Sequence, residues 1–283
     1  MRFVRYNLTN KSYKKEEKMK KILLSLLLTI ELFAKLVQAP ILTLDNQNNW
    51  AMIEVENIEV GVSGFAFHKI DETHSTILKS VVVESFDKKS KKARVRLKEF
   101  KGLKNNALPH GDWKLESGDS VVLAFAYDRA LLIAPNEEIY HRVSKSVNIQ
   151  WMHPDIFATI LSFNGHPTPL KSDFLSMSRE SSVGVVFIYL DKRVFTVDAK
   201  SFKILSISDA PLTQESVNLP FYTRVPEIDA AWWGEGSSRL KEYAPHYYKL
   251  LVESNRKNRA LYEIVKNSNK KVSSLIDEFE IKE

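Results

Sequence analysis

Short alternating segments fill the sequence from about residue 50 to 134, and they constrain the fold more than any other feature. Ala93-Arg94-Val95-Arg96-Leu97 alternates strictly between apolar and charged residues. In Met52-Ile53-Glu54-Val55-Glu56, the charged Glu54 and Glu56 alternate with the apolar Ile53 and Val55. Because neighbouring side chains of a strand point to opposite faces, each segment is typical of a strand with one buried face. Gly61-Val62-Ser63-Gly64 permits a tight turn or bulge between two such runs. Six or seven strands so closely spaced predict a small antiparallel β barrel or curled sheet over residues 35–136.

Residues 137–208 have a mixed pattern that predicts an α/β unit. Ile139–Val143 is expected to be a strand, whereas Pro154 is expected to open an apolar helix that Gly165 ends. A second short helix is expected near Ser172–Met177. The β-branched and aromatic run Val185–Leu190 predicts one arm of a hairpin. Asp191-Lys192 forms its turn, and Val194–Val197 is the other arm, followed by a strand at Ile204–Ile207.

The last third of the sequence is irregular at first and then helical. Prolines interrupt residues 209–245, where Trp232-Trp233-Gly234 is interpreted as an apolar anchor. Residues 246–283 form a predicted helical tail. Its apolar residues recur every three or four positions, at Leu261, Val265, Val272, Leu275 and Phe279. The predicted fold class is therefore α+β: a small antiparallel barrel or curled sheet, then an α/β unit and a C-terminal helical segment.

The first 34 residues have the composition of an export signal. Lys20-Lys21 precede the nine-residue run Ile22–Ile30, which is too short to span a bilayer but suits a secretory signal peptide. Cleavage is predicted after Ala34, with an uncleaved anchor as the alternative; Met19 could be the true start, making residues 1–18 an extension. Eight basic and three acidic residues give this leader five of the chain's six net positive charges. The remaining body is nearly neutral, which argues against nucleic acid as a partner.

The sequence offers no pattern typical of an enzyme or a cofactor site. It has no Cys, which excludes disulfides and thiolate ligands, and its nine Gly form no phosphate-binding loop. His153, Asp155 and His166 could bind zinc with an open position, but their spacing favours loop and cap histidines. Ser63 lacks the five-residue turn of a nucleophilic serine. We therefore predict no catalytic residues, metal, cofactor or small-molecule substrate.

Two surface patterns leave alternatives open. The run Lys88-Lys89-Ser90-Lys91-Lys92 lies between two predicted strands and is interpreted as a solvated hairpin tip, with a docking patch for an anionic surface as the alternative. Eight aromatic residues could form a stacking surface, although core and edge packing is favoured for them. They are Tyr140, Trp151, Tyr189, Tyr222, Trp232, Trp233, Tyr247 and Tyr248.

Several unusual segments, in the same order and with similar spacing, resemble the N-terminal domain of the bacterial plasminogen-binding protein PgbA family. They are Tyr127–Asn136, Trp151-Met152-His153-Pro154-Asp155, Gly165–Lys171, Pro220-Phe221-Tyr222-Thr223-Arg224 and Tyr247-Tyr248-Lys249. The resemblance covers roughly residues 40–250. It implies an exported, non-enzymatic protein at the cell surface or outer membrane that captures host plasminogen. The alternative is a periplasmic or envelope-associated scaffold that binds no plasminogen.

The resemblance also directs attention to lysines near the end of the sequence. In the family, plasminogen binding is attributed to a lysine at the extreme C-terminus, whereas here Glu283 follows Lys282. Kringle modules of plasminogen recognise an ammonium and a carboxylate at a fixed separation. Removal of Glu283 would supply both on Lys282. Alternatively, a basic residue and an acid on one face of the terminal helix could imitate the pair. The candidates are Lys257 to Arg259 with Glu263, and Lys270 or Lys271 with Asp277 or Glu278.

Overall fold

A computed structural model describes residues 36–100, 102 and 112–281. The predicted signal peptide and the candidate Lys282 lie outside the described residues. None of the helices in the described part of the chain is long and apolar enough to cross a membrane.

The first half folds into a closed antiparallel barrel of six strands. Its order is β1-β2-β5-β4-β3-β6, and β6 pairs with β1 to close the ring. The strands are β1 (Val37–Asp45), β2 (Trp50–Glu54), β3 (Ser63–Lys69), β4 (Ser75–Asp87), β5 (Lys92–Glu99) and β6 (Ser120–Leu123). The barrel predicted from the alternating segments is confirmed. Ala93, Val95 and Leu97 all face its core, at 3% exposure or less.

The second half contains a five-stranded sheet of order β11-β10-β9-β7-β8. Its strands are β7 (Arg129–Ile133), β8 (Gln150–Met152), β9 (Val185–Leu190), β10 (Arg193–Asp198) and β11 (Ile204–Asp209). β7 runs parallel to β8 and β9, whereas β9, β10 and β11 are antiparallel neighbours. The predicted hairpin is confirmed, with Asp191 and Lys192 both at positive φ in its two-residue turn. β7 follows the barrel in sequence but hydrogen-bonds within this second sheet.

The helices surround this sheet. They are α1 (Glu137–Ser146), α2 (Pro154–Asn164), α3 (Lys171–Ser181), α4 (Tyr243–Ser254), α5 (Arg259–Lys266) and α6 (Lys270–Ser273), followed by a 3₁₀ turn (Ser274–Glu278). The expectation of a strand at Ile139–Val143 is wrong, because these residues lie in α1. The Asn136 side chain caps that helix by accepting from the Ile139 amide at 2.9 Å, and Glu137 and Glu138 occupy its first turn.

Gly165 ends α2, as predicted, with φ at 71°. A Cβ there would lie 2.6 Å from the backbone nitrogen of Ala231, so a larger residue would clash as well as strain the backbone. The segment after α2 and the segment around Ala231 therefore pack closely at this point.

The second sheet is buried on both faces because two cores share it. Ala130 and Leu132 face the barrel and α1, whereas Leu131 and Ile133 face the remaining helices. On that second side Leu261, Val265 and Val272 are fully buried, which confirms the apolar seam of the terminal helices. The terminal helices are thus part of the folded unit.

Asp198, at the end of β10, joins the barrel to the second sheet. Its Oδ2 accepts from the Ser63 hydroxyl at 2.6 Å, the Ser63 amide at 3.0 Å and the Tyr127 hydroxyl at 2.6 Å. The backbone amides of Lys200 and Ser201 donate to its Oδ1. Burial, together with this carboxylate, raises the pKa of Tyr127 well above its usual value. Ser63 therefore serves as a donor in a buried junction.

Candidate partner-binding surface

Four of the five candidate binding residues lie in the terminal segment, on its helices or between them, and are exposed. Lys257 is in the connection after α4, Arg259 opens α5, and Lys270 and Lys271 open α6. Asparagine side chains start both short helices: Asn258 Oδ1 accepts from the Leu261 amide, and Asn269 Oδ1 accepts from the amides of Lys271 and Val272. The helices are thereby fixed on the core with their basic residues facing solvent.

The ion pairs of these residues differ from the expected ones. Lys257 Nζ lies 3.9 Å from Glu280 Oε2, and Lys271 Nζ lies 2.6 Å from Glu242 Oε1. Neither Lys257 with Glu263 nor Lys271 with Asp277 or Glu278 forms an ion pair among the described residues. In each of these ion pairs the acid neutralises the lysine at short range. Lys257 and Lys271 therefore do not present an ammonium and a carboxylate at the fixed separation that a kringle module recognises.

Arg259 and Lys270 differ from the other two. Their side chains form no ion pair within residues 36–100, 102 and 112–281. Both are exposed at the first position of a helix, where the helix dipole also disfavours a positive charge. Of the four described candidates, these two therefore carry charges that no acid of the described residues neutralises.

The segments that carry the family resemblance contact one another around Asp155. Its Oδ1 accepts from the Thr223 hydroxyl at 2.9 Å and the Arg224 amide at 2.8 Å, and its Oδ2 accepts from Arg224 Nε at 2.7 Å. Partial burial tends to raise the pKa of Asp155, but these hydrogen bonds outweigh it and lower the pKa to about 2. His153 packs beside Tyr140 and Tyr222, and partial burial lowers its pKa.

The other resembling segments form further structural contacts. The Tyr247 hydroxyl donates to the Pro220 carbonyl at 2.9 Å, and His246 Nε2 lies 2.9 Å from the Pro169 carbonyl. His166 Nδ1 lies 2.8 Å from the fully buried Asp173. His153 Nδ1 lies 3.2 Å from Asp155 Oδ1, whereas His166 pairs with Asp173, and no group of three potential ligands suited to a metal ion occurs in the described part of the chain. These segments hold the fold together.

The aromatic residues divide into two groups. Tyr189, Tyr247 and Tyr248 are fully buried, as core packing predicts. Trp232 and Trp233 are 100% and 86% exposed, so the interpretation of this pair as an apolar anchor is wrong. Two backbone hydrogen bonds hold the loop that carries them. The Ala231 amide donates to the Gly165 carbonyl, and the Thr168 amide donates to the Gly236 carbonyl. The loop presents the two indoles to solvent, and Phe163 near the end of α2 is likewise 91% exposed.

The basic run 88–92 forms the tip between β4 and β5, where its side chains are exposed. The run is therefore an exposed hairpin tip, as predicted, and the alternative of a docking patch for an anionic surface stays a prediction. The four lysines of the run equal in number the four described candidate residues, so the tip can serve as a control in substitution experiments on the terminal helices.

Comparison with known proteins identifies the family. The family profile described as "Plasminogen-binding protein pgbA N-terminal" matches residues 36–251, which is most of the chain. The chain belongs to this family. Two curated relatives are the plasminogen-binding proteins PgbA of Helicobacter pylori strains J99 and 26695, each 28% identical over 207 residues. The comparison with solved structures found no match.

The family match covers the PgbA N-terminal fold but does not reach the candidate binding residues. The alignments cover 71% of this chain but 44% of each Helicobacter pylori relative, so the chain spans less than half of their length. The family match ends at residue 251, within α4, and all five candidate residues follow it. The shared part therefore comprises the barrel, the second sheet and the contacts around Asp155.

Proposed function

We propose that this chain is an exported, non-enzymatic surface protein that captures host plasminogen. The observation that supports the proposal is membership of a family named for plasminogen binding, over residues 36–251. The basic leader and its short apolar run support export to the cell surface or outer membrane, with cleavage after Ala34. No catalytic residue or cofactor is part of the proposal.

In this proposal the terminal helices supply the contact for the kringle modules. Arg259 and Lys270 supply exposed positive charges, and Lys282 becomes a further contact if Glu283 is removed. Lys257 and Lys271 contribute after exchanging Glu280 and Glu242 for acids of the partner. Each contact is weak alone, since exposed ion pairs are worth about 0–1 kcal/mol. Binding would therefore depend on several lysines together.

Substitution is a sharper test of this site than removal of the tail. Deleting residues 251–283 would strip Leu261, Val265 and Val272 from the core and unfold the second sheet. The variant Lys257→Ala/Arg259→Ala/Lys270→Ala/Lys271→Ala keeps these apolar residues. Its matched control, Lys88→Ala/Lys89→Ala/Lys91→Ala/Lys92→Ala, loses four charges on the barrel. We expect at least a tenfold loss of affinity for immobilised plasminogen in the first variant and little change in the second.

The extent of the alignment favours a second candidate function. Because the relatives extend well beyond the shared part, the PgbA N-terminal fold could act as an envelope scaffold whose exposed Trp232 and Trp233 dock on another component. Protease accessibility and surface labelling of intact cells distinguish the two functions. A surface protein is labelled directly, whereas a periplasmic scaffold is labelled only after the outer membrane is opened.

A further inference from the structure

Four lysines from separate parts of the chain lie within electrostatic range of Lys171 or Lys203, where the barrel, the second sheet and the terminal helices adjoin. We call them the junction lysines: Lys98 near the end of β5, Lys171 at the start of α3, Lys203 just before β11 and Lys257 after α4. The nearest pair in sequence is separated by more than thirty residues, so the fold alone brings them together.

Two of these ammonium groups converge on a single residue. Lys171 Nζ donates to the Ser254 hydroxyl at 2.8 Å, and Lys203 Nζ donates to the Ser254 carbonyl oxygen. The adjacent Asn255 holds Ser254 in place. Its Oδ1 accepts from the Ile204 amide at 3.0 Å, and its Nδ2 donates to the Phe202 carbonyl at 3.0 Å. The two positive charges therefore share one fixed attachment point.

This convergence is electrostatically unfavourable without an anion. Partial burial lowers the pKa of Lys171, and the charges of Lys203 and Lys98 lower it further. Partial burial likewise lowers the pKa of Lys203, followed by the charges of Lys257 and Lys98. Glu253 and Glu280 act in the opposite direction.

The acids near the junction lysines are few, and each also contacts a basic residue outside the cluster. Glu280 lies 3.7 Å from Arg256 and 3.9 Å from Lys257, and Glu253 lies 3.9 Å from Lys249. Positive charge therefore exceeds negative charge around Ser254. A ligand that brings at least two negative charges would relieve the repulsion.

We propose that the junction lysines bind a tetrahedral oxyanion carrying two negative charges, whose biological form is a phosphate monoester. A phosphate monoester carries about −1.5 to −2 charges near neutral pH and offers three strong acceptor oxygens. Ammonium groups approaching from different elements can each reach a different oxygen, and lysine binds phosphate as a point charge. A carboxylate has a single charge and would leave part of the repulsion in place.

Lysine side-chain NMR of the full chain, with ¹³C-labelled lysine, tests the site directly. Inorganic phosphate is titrated at constant ionic strength against sodium chloride. We expect saturable shifts of the Lys171 and Lys203 side-chain signals. In Lys171→Met/Lys203→Met the affinity for phosphate should fall at least tenfold, measured by calorimetry. The matched control Lys88→Met/Lys89→Met on the hairpin tip should bind as the parent does.

A second arm separates the possible sources of the phosphate. Co-sedimentation with vesicles containing phosphatidate, compared with phosphatidylcholine alone, reports binding to a lipid-borne monoester; binding of free phosphate only indicates a soluble ligand. Linear shifts of equal size at the hairpin lysines, or failure to bind either form, would overturn the proposal. Lys257 belongs to both proposed sites, but Lys171 and Lys203 are outside the plasminogen contact. Because Lys171→Met/Lys203→Met keeps Lys257, either proposal can fail alone.

Discussion

Replacing Asp155 by Asn should measure how strongly the resembling segments are held together. The carboxylate accepts three hydrogen bonds from Thr223 and Arg224, and its pKa is lowered from 3.8 to about 2. One pKa unit corresponds to about 1.36 kcal/mol, so the charged form contributes about 2 kcal/mol to the free energy of unfolding at pH 7. The side chain is only 22% exposed, which limits screening by solvent. We expect Asp155→Asn to be less stable by that amount.

The pH dependence of this difference distinguishes charge from shape. Because the folded-state pKa is depressed, the contribution is fully present above the unfolded-state pKa near 3.8. It is lost as the pH falls through the folded-state pKa of about 2. Urea unfolding should therefore give a constant difference between the parent and Asp155→Asn at pH 7 and pH 5, and a difference smaller by about 1 kcal/mol at pH 3.

Asp209→Asn serves as the matched control, since Asp209 is 85% exposed and 3.7 Å from Arg193. It should change stability little at any of these pH values. A difference for Asp155→Asn that is below about 0.5 kcal/mol at pH 7, or that does not change between pH 5 and pH 3, would refute the assignment of Asp155 as a charged anchor.

Further predictions concern packing, the buried junction and the lysines. Phe157→Ala should lower the free energy of unfolding in urea by about 3–5 kcal/mol, because the ring is fully buried with its centroid 4.7 Å from that of Phe174. Phe163→Ala, on the exposed face of the same helix, should lower it by less than about 0.5 kcal/mol, and equal losses of stability in the two variants would contradict the burial pattern. Asp198→Ala should lower the free energy of unfolding by about 3–5 kcal/mol, since it leaves buried donors unpaired. A urea midpoint equal to that of the parent would show that these hydrogen bonds do not join the barrel to the second sheet. Lys203→Met should raise the pKa of Lys171 in an NMR titration, because Lys203 contributes to lowering it; an unchanged pKa would place the two ammonium groups farther apart.

Much of the fold follows from local patterns in the sequence. Strict alternation at Ala93–Leu97 identified a barrel strand, and Pro154 and Gly165 marked both ends of α2. The strand expected at Ile139–Val143 is wrong, because the helix start at Asn136 outweighs the β-branched and aromatic character of these residues. Asn136 followed by Glu137 and Glu138 was the available signal, a cap with acids in the first turn.

The features that depend on distant contacts could not be read from the sequence. Ser63 and Asp198 are separated by 135 residues, and nothing local at Ser63 marks it as the donor to a buried carboxylate. The exposure of Trp232 and Trp233 likewise depends on how their loop is fastened to residues 165–168. A tryptophan pair in an irregular segment has no periodicity that would distinguish a core position from a presented one.

The role of the candidate residues stays a prediction. The structure shows Lys257, Arg259, Lys270 and Lys271 exposed, as a binding role requires. Their ionic partners were not predicted, because Glu280 and Glu242 approach through turns of the chain and not along one helix face. The spacing rule for residues three or four apart applies only within a continuous helix, and the terminal segment is broken after Lys266 and again after Ser273.

Binding of the purified chain to isolated plasminogen kringles tests the central claim most directly. Surface plasmon resonance should show saturable binding to immobilised kringle modules and none to the isolated protease domain. A free lysine analogue should compete for the bound chain, since both would occupy the same acidic pocket. Absence of kringle binding, or binding that excess lysine analogue does not displace, would contradict the proposed capture of plasminogen through cationic residues.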